Sequence, residues 1–223
     1  MPQVNTSKRA VPKADAPATS RGERRREALL KAAREVFLEK GYSAASVEDV
    51  VSRVGGSKAT LYSYFGNKEG LFDGMISALC DEFRSKLAIP REVEGDIELT
   101  LTRFGKRMLK QFLEPDRVCM YRAILAETVH FPRLAQRLYE SGPQRGAQEF
   151  GDFLRRQHET GALHCPDPET AAICFSEMIK ASPQRRAMLG LPAFKNEREM
   201  EKFVASAVQI FLHGCLPAVP KKK

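Results

Sequence analysis

From residue 21 onward, apolar residues recur every three or four positions almost throughout the chain, the spacing that lines up one face of an α-helix. Alternating, β-branched runs that would mark strands do not stand out, and no sustained internal repeat is visible. The pattern predicts an all-α fold. A first helix is expected over residues 22–40, where Leu29, Leu30, Ala33, Val36 and Phe37 form one stripe and Gly41 supplies a stop. Ser46-Val47-Glu48-Asp49 then matches a capping box: the Ser46 hydroxyl can accept an amide hydrogen bond, and Asp49 sits in the first turn, where the dipole favours negative charge. That second helix is short, because Gly55-Gly56 lets the backbone turn before Ser57 caps another short helix ending at Tyr64 or Phe65. Asn67 is expected to cap a longer fourth helix, 68–87, which stops ahead of Ile89-Pro90 because the residue before proline avoids helical geometry.

Further helices are expected near residues 95–113, 115–129, 132–141, 143–160, 168–180, 183–189 and 197–213, many opening on a proline whose missing N–H matters least in a first turn. The implied organisation is a disordered basic arm over 1–20, a first domain over 21–72, a linking helix over 68–87, a second helical domain over 73–216 and a basic tail over 217–223. The arm is rich in Pro, Ala, Ser and Thr and carries Lys8, Arg9 and Lys13 without an aromatic residue.

Composition narrows the function. The 223 residues hold 36 Lys plus Arg against 28 Asp plus Glu, a net charge of +8 that suits an anionic partner. With 43% hydrophobic residues the chain can bury a sizeable core, which excludes disorder throughout. No apolar run reaches the ~18 residues of a membrane span, and the N-terminus lacks a secretory apolar stretch, so a cytoplasmic protein without membrane attachment is expected. Cys80, Cys119, Cys165, Cys174 and Cys215 are odd in number and form no C-x-x-C pair, which predicts buried reduced thiols rather than disulfides or a thiolate zinc site. The four histidines are scattered and no G-x-S-x-G, P-loop or H-E-x-x-H signature occurs, so neither an enzyme nor a cofactor is expected. His158, His164, Cys165, Asp167 and Glu169 gather mixed donors near one predicted loop, but their irregular spacing leaves a metal sensor only an alternative and no metal is expected.

Helix, glycine turn and second short helix over residues 46–64 fit a helix-turn-helix whose second helix enters the major groove. Within residues 57–65, cations, hydroxyls and aromatics dominate, and only Leu61 and Phe65 are obviously needed for a core. Lys58, in the first turn, can reach guanine O6 and N7 or equally a phosphate. Thr60 offers a hydroxyl and a methyl, while Tyr62 and Tyr64 are long enough to hydrogen-bond the DNA backbone. Ser46 and Ser57 are caps first and phosphate ligands second. Lys68 opposes the dipole at the start of its helix, which makes sense if it faces a phosphate and otherwise leaves a solvated lysine. Arg21, Arg24, Arg25 and Arg26 either neutralise phosphates or form a solvated charge run.

Phe37-Leu38-Glu39-Lys40-Gly41-Tyr42, then Ser46-Val47-Glu48-Asp49-Val50, then Gly55-Gly56-Ser57-Lys58-Ala59-Thr60-Leu61-Tyr62-Ser63-Tyr64-Phe65-Gly66-Asn67-Lys68-Glu69-Gly70-Leu71 resembles the TetR family of bacterial transcriptional regulators. Gly56, where an apolar residue is usual, and Ala59, where glycine is frequent, depart from the family pattern. Residues 122–127, Phe131-Pro132 and 167–172 are similar to AcrR- and AefR-like members. The resemblance implies a three-helix DNA-binding domain, a helical ligand-binding and dimerisation domain, and usually repression of a double-stranded DNA operator relieved by a small molecule. A ligand-responsive activator or a nonspecific nucleic-acid-binding protein is the alternative.

A homodimer is expected because one monomer reads one half-site. Ala147, Phe150 and Leu154 on one helix, and Phe203, Val204, Ala207, Val208 and Phe211 on the last, offer stripes at helical spacing; the resemblance implies a four-helix bundle between protomers, whereas each stripe could instead cover its own core. Phe104, Met108, Phe112 and Met120 supply flexible and aromatic surface for an apolar effector pocket, as do Ile124, Phe131, Phe175 and Met178, although ordinary core packing would use the same residue types. Arg122, Glu127 and His130 are candidate polar anchors there. Helix 68–87 is the natural lever between pocket and DNA-reading surface.

Overall fold

The structure, a computed structural model, describes residues 21–87, 93 and 96–213. The basic arm, the Ile89-Pro90 stop, the helix start near Gly95, Cys215 and the tail lie outside the described residues. Among the described residues the chain is all-helical: α1 (Arg21–Ala44), α2 (Val47–Val54), α3 (Lys58–Phe65), α4 (Lys68–Leu87), α5 (Ile97–Phe112), α6 (Pro115–Glu127), α7 (Pro132–Tyr139), a π-helical turn (Glu140–Gln144), α8 (Arg145–Glu159), α9 (Pro168–Met188) and α10 (Glu197–His213). None of these helices is long and apolar enough to cross a membrane.

The local signals act as their chemistry requires. Ser46 accepts from the Asp49 amide at 3.1 Å while the Asp49 carboxylate accepts from the Ser46 amide at 2.9 Å, a complete capping box. Ser57 accepts from the Thr60 amide at 3.2 Å, and Asn67 caps α4 by accepting from the Gly70 amide at 2.8 Å. Gly41, at φ +76°, interrupts helical geometry as expected, but the chain resumes a last helical turn to Ala44 beyond the kink.

Two joins differ from the sequence expectation. The segments expected as 168–180 and 183–189 form one helix, α9, with Pro183 buried inside it. The segments expected as 132–141 and 143–160 run together through the π turn that contains Pro143. A widened turn accommodates the proline ring and its missing donor, so the chain need not leave the helix.

Apolar stripes converge into two cores. In the first, Leu29, Ala33, Val36 and Phe37 of α1 meet Val47 and Val50 of α2, Leu61 of α3 and Leu71, Phe72, Met75 and Ile76 of α4. Met120 and Ile124 of α6 and Leu134 of α7 enter the same core, so it draws on elements well beyond residue 72. The second unites Leu87, Leu101, Phe104, Met108, Phe150, Phe153, Phe175, Ile179, Val204 and Val208 from α4, α5, α8, α9 and α10. Of the thiols expected to be buried, Cys165 is buried and Cys80 half-buried, while Cys119 and Cys174 sit on outward helix faces and are exposed.

Asp49 carries a measurable signature of this local order. The Lys40 ammonium, 2.7 Å away, together with the Ser46 amide and hydroxyl, holds its carboxyl down to about 2. Because the folded value lies below the unfolded one, the stabilisation is present above the ordinary aspartate range and is lost as pH falls toward about 2. The Asp49 carboxyl is expected to titrate near that value by NMR and to move upward in Lys40→Gln. Ser46→Ala should lower unfolding stability by about 1 kcal/mol in denaturant titration.

Candidate nucleic-acid interface and the helical cavity

α3 is held by little more than one side chain. Leu61 is its sole fully buried residue, and Phe65 is half-buried against the first core, with the Arg26 guanidinium 5.5 Å over its ring. The rest of α3 faces outward: Lys58 and Ala59 are exposed, Tyr62 is 44% exposed and Tyr64 38%. Rings of that size left in water, beside a cation and hydroxyls, form a surface suited to a hydrated, anionic partner rather than to a core.

Each DNA-contact candidate has a definite place. The Lys58 ammonium pairs with Glu48 of α2, and each holds the other's charged form: the hydrogen bond lowers the Glu48 carboxyl pKa and raises that of Lys58. The Thr60 and Ser57 hydroxyls lie 3.0 Å apart, and the Tyr64 hydroxyl donates to the Gly22 carbonyl at 3.2 Å, tying α3 to the start of α1. Ser46 is occupied as a cap, as is Ser57. Lys68 is placed differently from the phosphate-facing expectation. Its ammonium donates to the Ser43 carbonyl at 3.2 Å and lies 4.5 Å over the Tyr42 ring, where burial lowers its pKa. Those internal partners account for a cation at that helix start.

The turn between α2 and α3 has a brace that residue types alone did not reveal. Arg25 reaches from α1 to donate to the Val54 carbonyl at 3.2 Å and to the Gly55 carbonyl. Gly55 and Gly56 have φ of +74° and +102°, and a Cβ on Gly56 would fall on the Arg25 guanidinium. Gly56 therefore admits the brace where an apolar side chain would exclude it.

A cavity of ≈ 620 Å³ lies between α4, α5, α6, α8 and α9. Phe104, Met108, Phe112, Met120 and Ile124 line it. Phe131, Phe175 and Met178 do not: Phe131 packs on Tyr42 at 4.8 Å, Phe175 is wholly buried in the second core, and Met178 is half-buried away from the cavity wall. Arg122 donates to the Ala187 carbonyl, Glu127 accepts from the Ser43 hydroxyl at 2.9 Å, and His130 is exposed, so none of these anchors reaches the cavity. Arg84, Arg117 and Lys180 do reach it, in a wall that also includes Arg34, Lys86 and the carboxylates Glu82, Glu114, Asp116, Glu169 and Glu177.

The stripes expected to pair protomers turn inward. Phe150, Leu154, Val204 and Val208 are buried inside the protomer, and Ala207 nearly so. Phe203 packs on Phe194 and Phe211 on Phe175 in the same core, while Ala147 and Phe150 line the cavity. These residues position α8 and α10; their outward faces carry other side chains, including exposed Ile210. At the α8–α9 loop, His158 Nδ1 accepts from the Cys165 amide at 3.4 Å and its ring meets that of His164 edge-on, and no cluster of three metal-ligating side chains occurs among the described residues.

An exposed recognition helix on a three-helix head, joined by α4 to a larger helical body with its own cavity, defines a helix-turn-helix DNA-binding protein with a second helical domain. Residues 29–75 match the bacterial regulatory proteins of the tetR family, and residues 99–214 match the C-terminal domain of AefR-like transcriptional repressors. The chain belongs to the TetR family of bacterial transcriptional regulators. It is 24% identical over 186 residues to the helix-turn-helix regulator YvkB of Bacillus subtilis, covering 83% of this chain and 94% of that one. Among solved structures, the flavonoid-responsive regulator FrrA is 31% identical with a TM-score of 0.78, covering 88% of this chain and all of its own. A regulator of Mesorhizobium loti assigned to the same family shares the fold at 23% identity and a TM-score of 0.76, covering 87% of this chain and 98% of its own.

Two substitutions test the architecture of the head. Gly56→Ala should destabilise it by about 1–3 kcal/mol, through the positive φ and displacement of Arg25, and weaken DNA binding in parallel. Glu48→Gln removes a carboxylate from the DNA-facing side and releases Lys58, so DNA affinity at low salt should rise with a steeper salt dependence in fluorescence anisotropy.

Proposed function

We propose that this regulator is a homodimeric repressor that reads a palindromic operator with α3 and is released by a small apolar or amphipathic molecule in the cavity. The observation that carries the reading is the pairing of an outward polar and aromatic face on α3 with a cavity whose walls belong to helices that also build the head's core. Lys58, Thr60, Tyr62 and Tyr64 are the groups that meet DNA, Lys58 at a base edge or phosphate and the tyrosines at the backbone. Lys58 must exchange Glu48 for the nucleic acid as it does so. The AefR-like repressor match favours repression.

A single α3 reads one half-site, and a second copy related by a two-fold axis supplies the other. The outward faces of α8 and α10 are the surfaces for that pairing. A ligand changes operator affinity only by preferring one spacing of the two heads over the other. α4 is the lever: its first half packs in the head through Leu71, Phe72, Met75 and Ile76, and its second half lines the cavity through Leu79, Phe83 and Leu87. Such a regulator works on cytoplasmic DNA.

Anisotropy titration of the full chain against the intergenic DNA upstream of its own gene and a scrambled duplex, over a salt series, tests this. The native duplex should bind about a thousandfold more tightly. Lys58→Ala or Tyr62→Phe should erode that margin while circular dichroism melting is unchanged. Equal binding of both duplexes, falling with salt alone, would refute the operator reading and leave a charge-driven binder.

A further inference from the structure

The cavity wall has an uneven distribution of charge that sets what it can hold. Phe83 of α4 and Phe112 of α5 meet with ring centroids 4.8 Å apart. The Arg117 guanidinium lies 4.8 Å over Phe83, and the Lys180 ammonium 5.6 Å over Phe112. Two cations thus flank a pair of aromatic rings. Both point inward, with side chains only 19% and 15% exposed, whereas the carboxylates along the wall lie nearer the rim: Glu114 and Glu177 are 47% and 54% exposed, Glu82 43%, Glu169 76%, and Asp116 is exposed.

Arg117 is incompletely satisfied. One terminal nitrogen donates to Gln111 Oε1 at 3.1 Å, but its Nε is buried without a hydrogen bond, the Glu114 carboxylate standing 3.5 Å off without meeting bonding geometry. Burial lowers the guanidinium's pKa more than the nearby carboxylates raise it, although an arginine stays cationic. Lys180 pairs with Glu177 and retains further N–H donors. Arg117 and Lys180 each carry N–H groups beyond these bonds, and both side chains form part of the cavity wall.

We infer that the cavity takes a small organic anion with a ring-bearing apolar body, its negative group held by Arg117 with Lys180 beside it. This rests on the effector reading above and specifies the ligand's chemistry. A cation would meet two inward positive charges, and a neutral hydrocarbon would make no use of them. A carboxylate, sulfonate or phenolate accepts from the Arg117 guanidinium and the Lys180 ammonium on the wall, while its rings pack among Phe83, Phe104, Phe112 and Tyr121. The ≈ 620 Å³ volume is in the range that encloses such a molecule.

Two probes that differ only in the charged group decide the matter: anilinonaphthalene sulfonate and its neutral counterpart N-phenylnaphthylamine, titrated by fluorescence into the full chain. The sulfonate should bind more tightly than the neutral probe. Arg117→Met should weaken the sulfonate by at least about tenfold and leave the neutral probe unchanged, with Arg117→Lys restoring part of the loss. Ala147→Trp, which fills the cavity, should abolish both. Equal binding of the two probes, or equal weakening by Arg117→Met, overturns the anion assignment; if Ala147→Trp still removes the neutral probe, an effector cavity stands. If neither probe responds to Ala147→Trp, the anion assignment and the effector cavity fail together.

Discussion

The side chains of one helix serve both the head's hydrophobic core and the cavity wall, and the rest of the architecture follows from that sharing. Met120 and Ile124 of α6 belong to the head's core with Val36, Phe37 and Phe72, and the same two residues form part of the cavity wall. A close-packed interior transmits displacement because it has no slack to absorb it. Whatever presses on those residues from the cavity side therefore presses on the head. Polar contacts reinforce the seam: Glu127 at the end of α6 accepts from the Ser43 hydroxyl just past the Gly41 kink, and Lys68 at the start of α4 donates to the Ser43 carbonyl. α1, α4 and α6 meet at this one place.

The DNA-reading surface rests on a narrower base. α3 contributes one fully buried residue, Leu61, so its orientation depends on the groups around it. Ser57 and Ser46 fix the starts of two helices, the Tyr64 hydroxyl reaches the Gly22 carbonyl, and Arg25 clamps the carbonyls of the intervening turn. Two of the arginines open in the sequence to phosphate neutralisation or to a solvated charge run serve as internal braces: Arg25 holds the turn, and Arg26 stacks over Phe65. An exposed face that must stay free for a partner cannot also be buried for stability, and the hydrogen bonds at its edges compensate.

Helix periods, caps and the glycine turn were legible because each is a local property. An i, i+3, i+4 stripe, a serine three residues before an acid and adjacent glycines keep the same meaning in any fold that contains a helix. Prolines misled for a related reason. Pro143 and Pro183 lack a donor wherever they stand, but whether the chain breaks there or widens depends on the packing around it, and both sit within continuous helical stretches. Apolar stripes told that α8 and α10 bury a face without telling what covers it. Phe150 and Val204 proved to be covered by their own protomer.

The sequence by itself determined the all-helical fold, the helix-turn-helix and the family, since these rest on short-range spacing and on residue types whose backbone preferences are intrinsic. Only the tertiary structure decided which side chains face the cavity and which face the head. It set Phe112 beside Phe83 while sending Phe131 to Tyr42, it turned Lys68 inward, and it laid Arg117 and Lys180 over the Phe83 and Phe112 rings. The physical reason is that burial and polar satisfaction are properties of neighbours distant in the chain. Composition fixes how many apolar and charged groups must be accommodated, and the packing of helices against one another fixes where.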